Sequence, residues 1–214
     1  MLTILHVDNH LLCLDKPWGL LTQPSGTARD SLEAQAKEWI KQEYHKPGAV
    51  FLEAVHRIDA VACGVVLFAR TSKALSRLAE AIREGRCRKE YRILVEGNLP
   101  SGEGRLTHWL RHQSHFTEVT PPHAPDARQA TLEYSLLERR PGGLSLVKVL
   151  LESGRYHQIR AQFSHIGCPV VGDAKYGSKH PFKEGGIALQ HYCLTIEHPV
   201  THLPLELRSQ LRLG

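Results

Sequence analysis

The sequence predicts an α+β fold built on a mixed sheet, and three observations carry that expectation. Segments of strand character outnumber segments of helical spacing. The two kinds do not alternate regularly, as a doubly wound parallel sheet requires. No internal repeat, low-complexity tract or evident linker divides the 214 residues, so 1–214 reads as one domain, or two closely packed lobes, long enough to bury a core.

The elements follow in chain order. "TILHVDNHLLCLDKP" alternates apolar and polar residues and predicts two short strands, with a turn at "DKPWG". Over 30–44, Leu32, Ala36, Trp39 and Ile40 recur at helical spacing behind Asp30 or Ser31 as a cap. "GVVLFAR" (64–70) is short, apolar and β-branched, hence a buried strand. Over 71–85, Leu75, Leu78, Ala79 and Ile82 share a helical face, with a Ser or Thr cap and Gly85 as the stop. Residues 91–97, 131–138 and 144–152 read as strands, the last two joined by a tight turn at "RPGG". A helix is expected over 156–167, ending at Gly167, and further strands over 187–199.

Composition excludes several classes. No run of 18 apolar residues occurs, so no membrane-spanning helix is expected. The N-terminus has no basic stretch and carries acids early, unlike a signal peptide. Five cysteines (Cys13, Cys63, Cys87, Cys168, Cys193) are scattered without a CxxC pair, which points to reduced thiols and a cytoplasmic protein. The net charge of +5, before any of the 14 histidines is counted, suits an anionic partner. "REGRCRKEYR" (83–92) concentrates basic residues at the entrance to the strand-like "YRILVEG".

Motifs narrow the chemistry. His108, His112 and His115 stand at i, i+4 and i+7, one face if helical, but no acid of HExxH type and no cysteine pair accompanies them. A surface or RNA-facing histidine cluster is the better reading, and no metal is assigned. No GxGxxG or GxxxxGK[ST] run offers a nucleotide cradle, and GxSxG is absent. Cys63 reads as a small buried residue at a strand start.

Two stretches stand apart. "AVHRIDAVACGVVLFAR" (54–70) puts His56, Arg57 and Asp59 ahead of a core strand, where polar groups cost free energy unless paired or used. "ESGRYHQIRAQFSHIGCPVVGDAKYG" (152–177) places Arg155, His157, Gln158 and Arg160 within six residues, then a glycine-punctuated loop with Asp173 and Tyr176. The second stretch is a basic pole able to pair with an acid elsewhere, and Asp59 is an acid in want of a partner.

These residues resemble a family. "HRIDAVACGVVLFAR" is similar to the HRLDxxTSG motif of RluA-type pseudouridine synthases, and "GRYHQIRAQFSHIGCPVVGDAKYG" to their GRxHQIRxHxxxxGxPIxGDxxYG. "LHVDNHLLCLDKPWGLL", "RKEYRILVEG" and "ALQHYCLTIEHP" resemble three further motifs of that family, in the same order. Three departures stand out: Ala62-Cys63-Gly64 replaces TSG, Ala60 stands where Arg often follows the aspartate, and Gln162 replaces the last histidine of GRxHQIRxH.

The resemblance implies the pseudouridine synthase catalytic fold, a long mixed, mostly antiparallel sheet flanked by helices with a central cleft. It implies isomerisation of uridine in ribosomal or transfer RNA without a cofactor, by a monomer lacking a preceding S4-like domain. Asp59 is then the catalytic carboxylate, Arg160 its charge partner, and Tyr91 the ring stacked on the flipped uracil. Ile159 lines the pocket, while Arg57, Lys89 and Arg155 meet phosphates and loops. His157 and Gln158 are structural or RNA-facing. Lys16, Gly19, Gly172, Asp173 and Gly177 shape loops. The alternative is a catalytically inactive RNA-binding or ribosome-assembly protein of the same fold. Ala62-Cys63 argues for it; the intact Asp59, Tyr91 and Arg160 argue against.

Overall fold

The computed structural model describes residues 2–26 and 30–213. Its strands are β1 (Thr3–Val7), β2 (Leu11–Lys16), β3 (Glu53–Ala54), β4 (Cys63–Ala69), β5 (Arg88–Glu96), β6 (Glu103–Gln113), β7 (Phe116–Thr120), β8 (Arg128–Arg140), β9 (Leu144–Leu151), β10 (Leu189–Glu197) and β11 (Pro204–Arg208). Its helices are α1 (Leu32–Glu43), α2 (Ser72–Arg83) and α3 (Gln158–His165). The chain divides into two compact units, one running to Arg88 and resuming over His191–Arg212, the other spanning Lys89–Gln190. The expected α+β class holds, and every strand pair detailed below is antiparallel.

In the first unit the β1–β2 turn falls at Asp8–His10. Asp8 Oδ1 accepts the N–H groups of His10 and Leu11 at 2.7 and 2.8 Å, a side-chain-made turn that aspartate favours. "DKPWG" is the loop leaving β2, where the turn is expected. β2 pairs with β4 from Leu11↔Ala69 to Lys16↔Gly64. Leu11, Cys13, Val65, Leu67 and Ala69 pack with α2. Leu12, Leu14, Val66 and Phe68 on the opposite face are equally inaccessible, so both faces of this pair are covered.

Both helices of this unit start where the sequence places them. Ser31 caps α1 and Thr71 caps α2, each accepting an N–H three residues on. The buried face of α2 differs from the expected one: Ala74, Leu78 and Ala81 face the core, and Leu75 is only partly covered. Two alanines let the helix backbone lie close to β4, which a stripe of bulkier residues would prevent.

The second unit orders its strands β5-β9-β8-β6-β7, all antiparallel. The "RPGG" turn is a short 3-10 segment, with Gly142 and Gly143 at φ 78° and 73°. β6 and β7 were not expected as strands. In β6 burial alternates over 103–108, but the inward positions are Gly104, Leu106 and His108, so the residue types carry little of that alternation. His108 and His112 therefore stand on a strand and His115 in the following turn, so no helical histidine face exists. Among the described residues, no group of three His, Cys, Asp or Glu is placed to hold a metal ion.

Glu96, at the end of β5, anchors the loop over 178–180. Its carboxylate accepts Ser178 Oγ and the N–H groups of Lys179 and His180, the latter two at 3.0 Å. Burial alone would raise its pKa, but these hydrogen bonds prevail and hold it at about 2, below the ordinary 4.5. A depressed carboxylate stabilises the fold fully above pH 4.5, and the gain is lost as pH falls toward 2. Glu96→Gln is therefore expected to unfold at lower urea than wild type at neutral pH. The gap should close as pH falls from 4.5 to about 2; a gap independent of pH would show that the charge contributes nothing.

Candidate active site

The loop that carries Asp59 begins with a substituted ladder in the first unit. β3 pairs with β4 through Glu53↔Ala69 and Ala54↔Phe68, and Val55 N–H donates to Leu67 O at 2.9 Å. At the next position an imidazole replaces the backbone, with Leu67 N–H donating to His56 Nε2 at 3.2 Å. His56 thus ends the ladder without leaving a strand donor unpaired, and residues 57–62 are released as a loop. His56 is accordingly structural.

Residues leaving β2 hold that loop on both sides of Asp59. Thr22 Oγ1 donates to Ile58 O at 2.9 Å, and Gly19 N–H to Ala60 O at 2.8 Å. Lys16 is wholly buried, and its ammonium donates to Pro17 O, Leu20 O and Ala60 O at 2.9, 2.7 and 3.1 Å. Three donors meet three carbonyls, the condition under which a buried lysine is tolerable. Burial pulls its pKa down to about 8, with Cys63 and Asp59 working upward. Asp59 itself is half-buried, and its carbonyl accepts Ala62 N–H at 3.0 Å. Lys16 is a loop-positioning residue, as expected, and it acts on the backbone next to Asp59.

Ala62 and Cys63, the departures from TSG, are buried. Cys63 opens β4. The glycine after it is obligatory: a Cβ on Gly64, at φ +114°, would lie 2.2 Å from the carbonyl oxygen of His191.

In the second unit Tyr91 lies on β5 opposite Val149 and is 8% exposed. Lys89, two residues earlier, is half-buried. α3 is shorter than expected. Arg155 and His157 precede it, and His157 adopts a left-handed backbone at φ 49°. Gln158 locks the helix start: its Oε1 accepts Ser153 Oγ and Arg155 N–H at 2.9 and 3.1 Å, and its Nε2 donates to Thr131 O at 3.1 Å. Of the two readings offered for Gln158, the structural one therefore holds. Gln162, the substitute for histidine, donates to Leu106 O and Ala130 O, each at 3.2 Å, and so ties α3 to β6 and β8.

Arg160 and Ile159 are both buried on α3. The acid that meets Arg160 inside its own unit is Asp173: Nε and Nη2 reach Oδ2 and Oδ1 at 2.6 and 2.9 Å, a two-point fork. The Arg160 guanidinium also lies 4.9 Å from the centre of the Tyr176 ring. Tyr176 Oη accepts Thr117 N–H at 2.9 Å and lies 2.9 Å from His157 Nδ1. Burial pushes the Tyr176 pKa up to about 12, so the phenol stays neutral and its proton is available to His157.

In the sequence Asp173 and Tyr176 read only as part of a glycine-punctuated loop. Asp173 is the one to which sequence reasoning assigned too little, and the signal was the GD pair itself, an acid beside a glycine at φ +86°. Arg57 and Arg155 are exposed. Asp59 and Arg57 belong to the first unit, while Tyr91, Lys89, Arg155, His157, Ile159 and Arg160 belong to the second.

Comparison with known proteins gives the family and the fold. The model of the family described as RNA pseudouridylate synthase matches residues 10–165. The chain is 30% identical over 225 residues to ribosomal large subunit pseudouridine synthase D of Yersinia pestis, covering 98% of this chain and 67% of that one. It is likewise 30% identical to the dual-specificity RNA pseudouridine synthase RluA of Haemophilus influenzae, over 94% of this chain and 89% of that one. In fold it resembles the structure of human RNA pseudouridylate synthase domain containing 4, with a TM-score of 0.83 at 19% identity over 98% of this chain and 88% of that one. With most of its length inside the family match and the HRID and GRYHQIR stretches inside that span, the chain belongs to the RNA pseudouridylate synthase family, of RluA type.

Proposed function

We propose that the chain isomerises uridine to pseudouridine in RNA, with Asp59 as the reacting carboxylate. The supporting observation is the family match over 10–165, which contains Asp59, Tyr91 and Arg160 in their motifs. In the reaction the bond from ribose C1′ to uracil N1 breaks, the freed base turns, and C1′ bonds to carbon 5, which then loses its proton while N1 takes one up. One proton leaves and one is gained, so atoms and electrons balance and the chemistry requires no redox partner and no group donor.

Asp59 serves this sequence either by adding to ribose or base, or by taking a ribose proton. Arg160 is proposed to keep it ionised and aimed, in addition to the Asp173 contact. The uridine must leave its stack, at a cost of roughly a few kcal/mol, which stacking and phosphate contacts offset. Tyr91 is proposed as the ring under the flipped base. Arg57, Lys89 and Arg155 are proposed for the phosphates, and Ile159 for the pocket wall. Ribosomal or transfer RNA is the proposed substrate class and the cytoplasm the proposed site of action; no described helix is long and apolar enough to cross a membrane.

The test is direct. Purified protein is incubated with total RNA from cells lacking the gene, and pseudouridines are mapped. New pseudouridine at defined positions is expected; RNA left unchanged would overturn the reading.

Tyr91 separates two roles. Its ring would contribute roughly 1–3 kcal/mol by stacking, and its hydroxyl would help remove the proton at carbon 5. Tyr91→Phe is expected to bind RNA normally but to release tritium from carbon 5 slowly in single-turnover assays. Tyr91→Ala should also bind less tightly. Release from the Phe variant at the wild-type rate would reduce Tyr91 to a platform.

A further inference from the structure

The β6–β7 hairpin and the turn before α3 hold a cluster of rings for which the isomerisation itself has no use. Tyr156 stacks on His157, with ring centres 3.8 Å apart and planes 20° from parallel. His112 of β6 lies 4.4 Å from the Tyr156 ring at 60°. Tyr156 remains 40% exposed, and His112 is exposed as well. Phe116, which opens β7, is stacked on Tyr176 and is also exposed. Rings gathered at a surface and rimmed by polar groups mark an interaction site.

The support behind these rings is rigid. His157 is within hydrogen-bonding distance of Tyr176 Oη, which Thr117 N–H also reaches. Thr117 Oγ1 donates to the carbonyl oxygen of Tyr156 at 2.9 Å. The place of Tyr156 is therefore fixed through its backbone, and a further ring added to the stack would require little additional ordering. The charge nearby is largely basic. Arg155 adjoins Tyr156 and is exposed, and Lys175 reaches over to His115 O. Glu118, the acid on β7, is already bound by Arg111 at 2.6 Å. Aromatic faces interleaved with cations match the chemistry of an unpaired nucleotide, whose base stacks and whose phosphate is anionic.

We propose that Tyr156, backed by His157 and flanked by His112, is a stacking platform for an unpaired base of the substrate RNA other than the isomerised uridine, with Arg155 on the adjacent phosphate. The proposal rests on the reading of the chain as an RNA-modifying enzyme and names where RNA is gripped away from the reacting base.

The probe is RNA extracted from cells lacking the gene. Tyr156→Ala is expected to raise KM for conversion of that RNA about tenfold, the loss falling on KM rather than on the rate at saturating RNA. Tyr156→Trp should restore KM and Tyr156→Leu should not, since the contact needs a π-face. Photocrosslinking to thiouridine-containing RNA should label the peptide holding Tyr156 in wild type. An unchanged KM in a folded, active Ala variant overturns the platform and leaves the isomerase reading intact. A loss confined to the rate at saturation also overturns it, by moving Tyr156 to the reacting base. Wild-type protein that converts no uridine overturns both.

Discussion

Replacement of Asp59 by asparagine is expected to abolish pseudouridine formation, by more than about a thousandfold, while RNA affinity stays within a few-fold of wild type. The substitution keeps the side chain's shape and removes only its charge and basicity. An amide can neither add to the ribose nor take a proton from it at a useful rate. Affinity should survive because phosphate contacts supply most of it. The loop should survive too, since Lys16, Gly19 and Thr22 hold the backbone at Ile58 and Ala60. Single-turnover conversion and a binding titration, run on the same RNA, separate the two effects. An active asparagine variant would remove Asp59 from the chemistry, whereas loss of binding and activity together would make it a structural residue.

The parts of this molecule legible in its sequence are those fixed by local pattern. β4 could be read because seven consecutive buried positions leave no polar residue in the run. α1 and α2 could be read from a serine and a threonine ahead of apolar spacing, and both cap as expected. β6 and β11 are hard to read for a physical reason. β11 alternates, with Leu205 and Leu207 inward, but it is only five residues long and opens on a proline, while the inward positions of β6 over 103–108 are Gly104, Leu106 and His108, only one of them aliphatic. The face of α2 was misjudged because size was taken to decide burial, where close approach to β4 favoured Ala74 and Ala81.

The site shows the same division. Asp59 was conspicuous as a charge at the mouth of a core strand, and the family resemblance gave it a role that burial alone could not. Lys16 was expected to shape a loop, yet nothing in "LDKPWG" says that its ammonium is wholly buried among three carbonyls. That arrangement depends on Ala60, 44 residues away. In the sequence Arg160 pairs with Asp59, the acid that stands ahead of a core strand, and that pairing remains a proposal. Asp173 escaped because the "PVVGD" loop must fold back before its carboxylate meets the helix, and spacing along the chain does not report such a return.

That pair supports the second large prediction. Arg160 and Asp173 are 5% and 2% exposed, so each charge has left water, and the two-point fork between them offsets part of that cost. Asp173→Asn keeps the volume but leaves the guanidinium facing a neutral amide. Breaking a buried pair from one side costs about 3–5 kcal/mol, a large part of the roughly 5–15 kcal/mol that holds a domain together. Urea unfolding should show this as a markedly lower midpoint with little change in slope. Removing both charges is a different matter. Arg160→Met combined with Asp173→Leu replaces the pair by apolar groups of similar bulk, and the buried charge that destabilises the single variant is gone. The double variant should recover most of the lost stability and remain inactive, because the proposed partner of Asp59 is gone as well. Asp173→Asn as stable as wild type would mean that solvent reaches the pair. A double variant with full activity would remove Arg160 from the reaction, whatever it contributes to the fold.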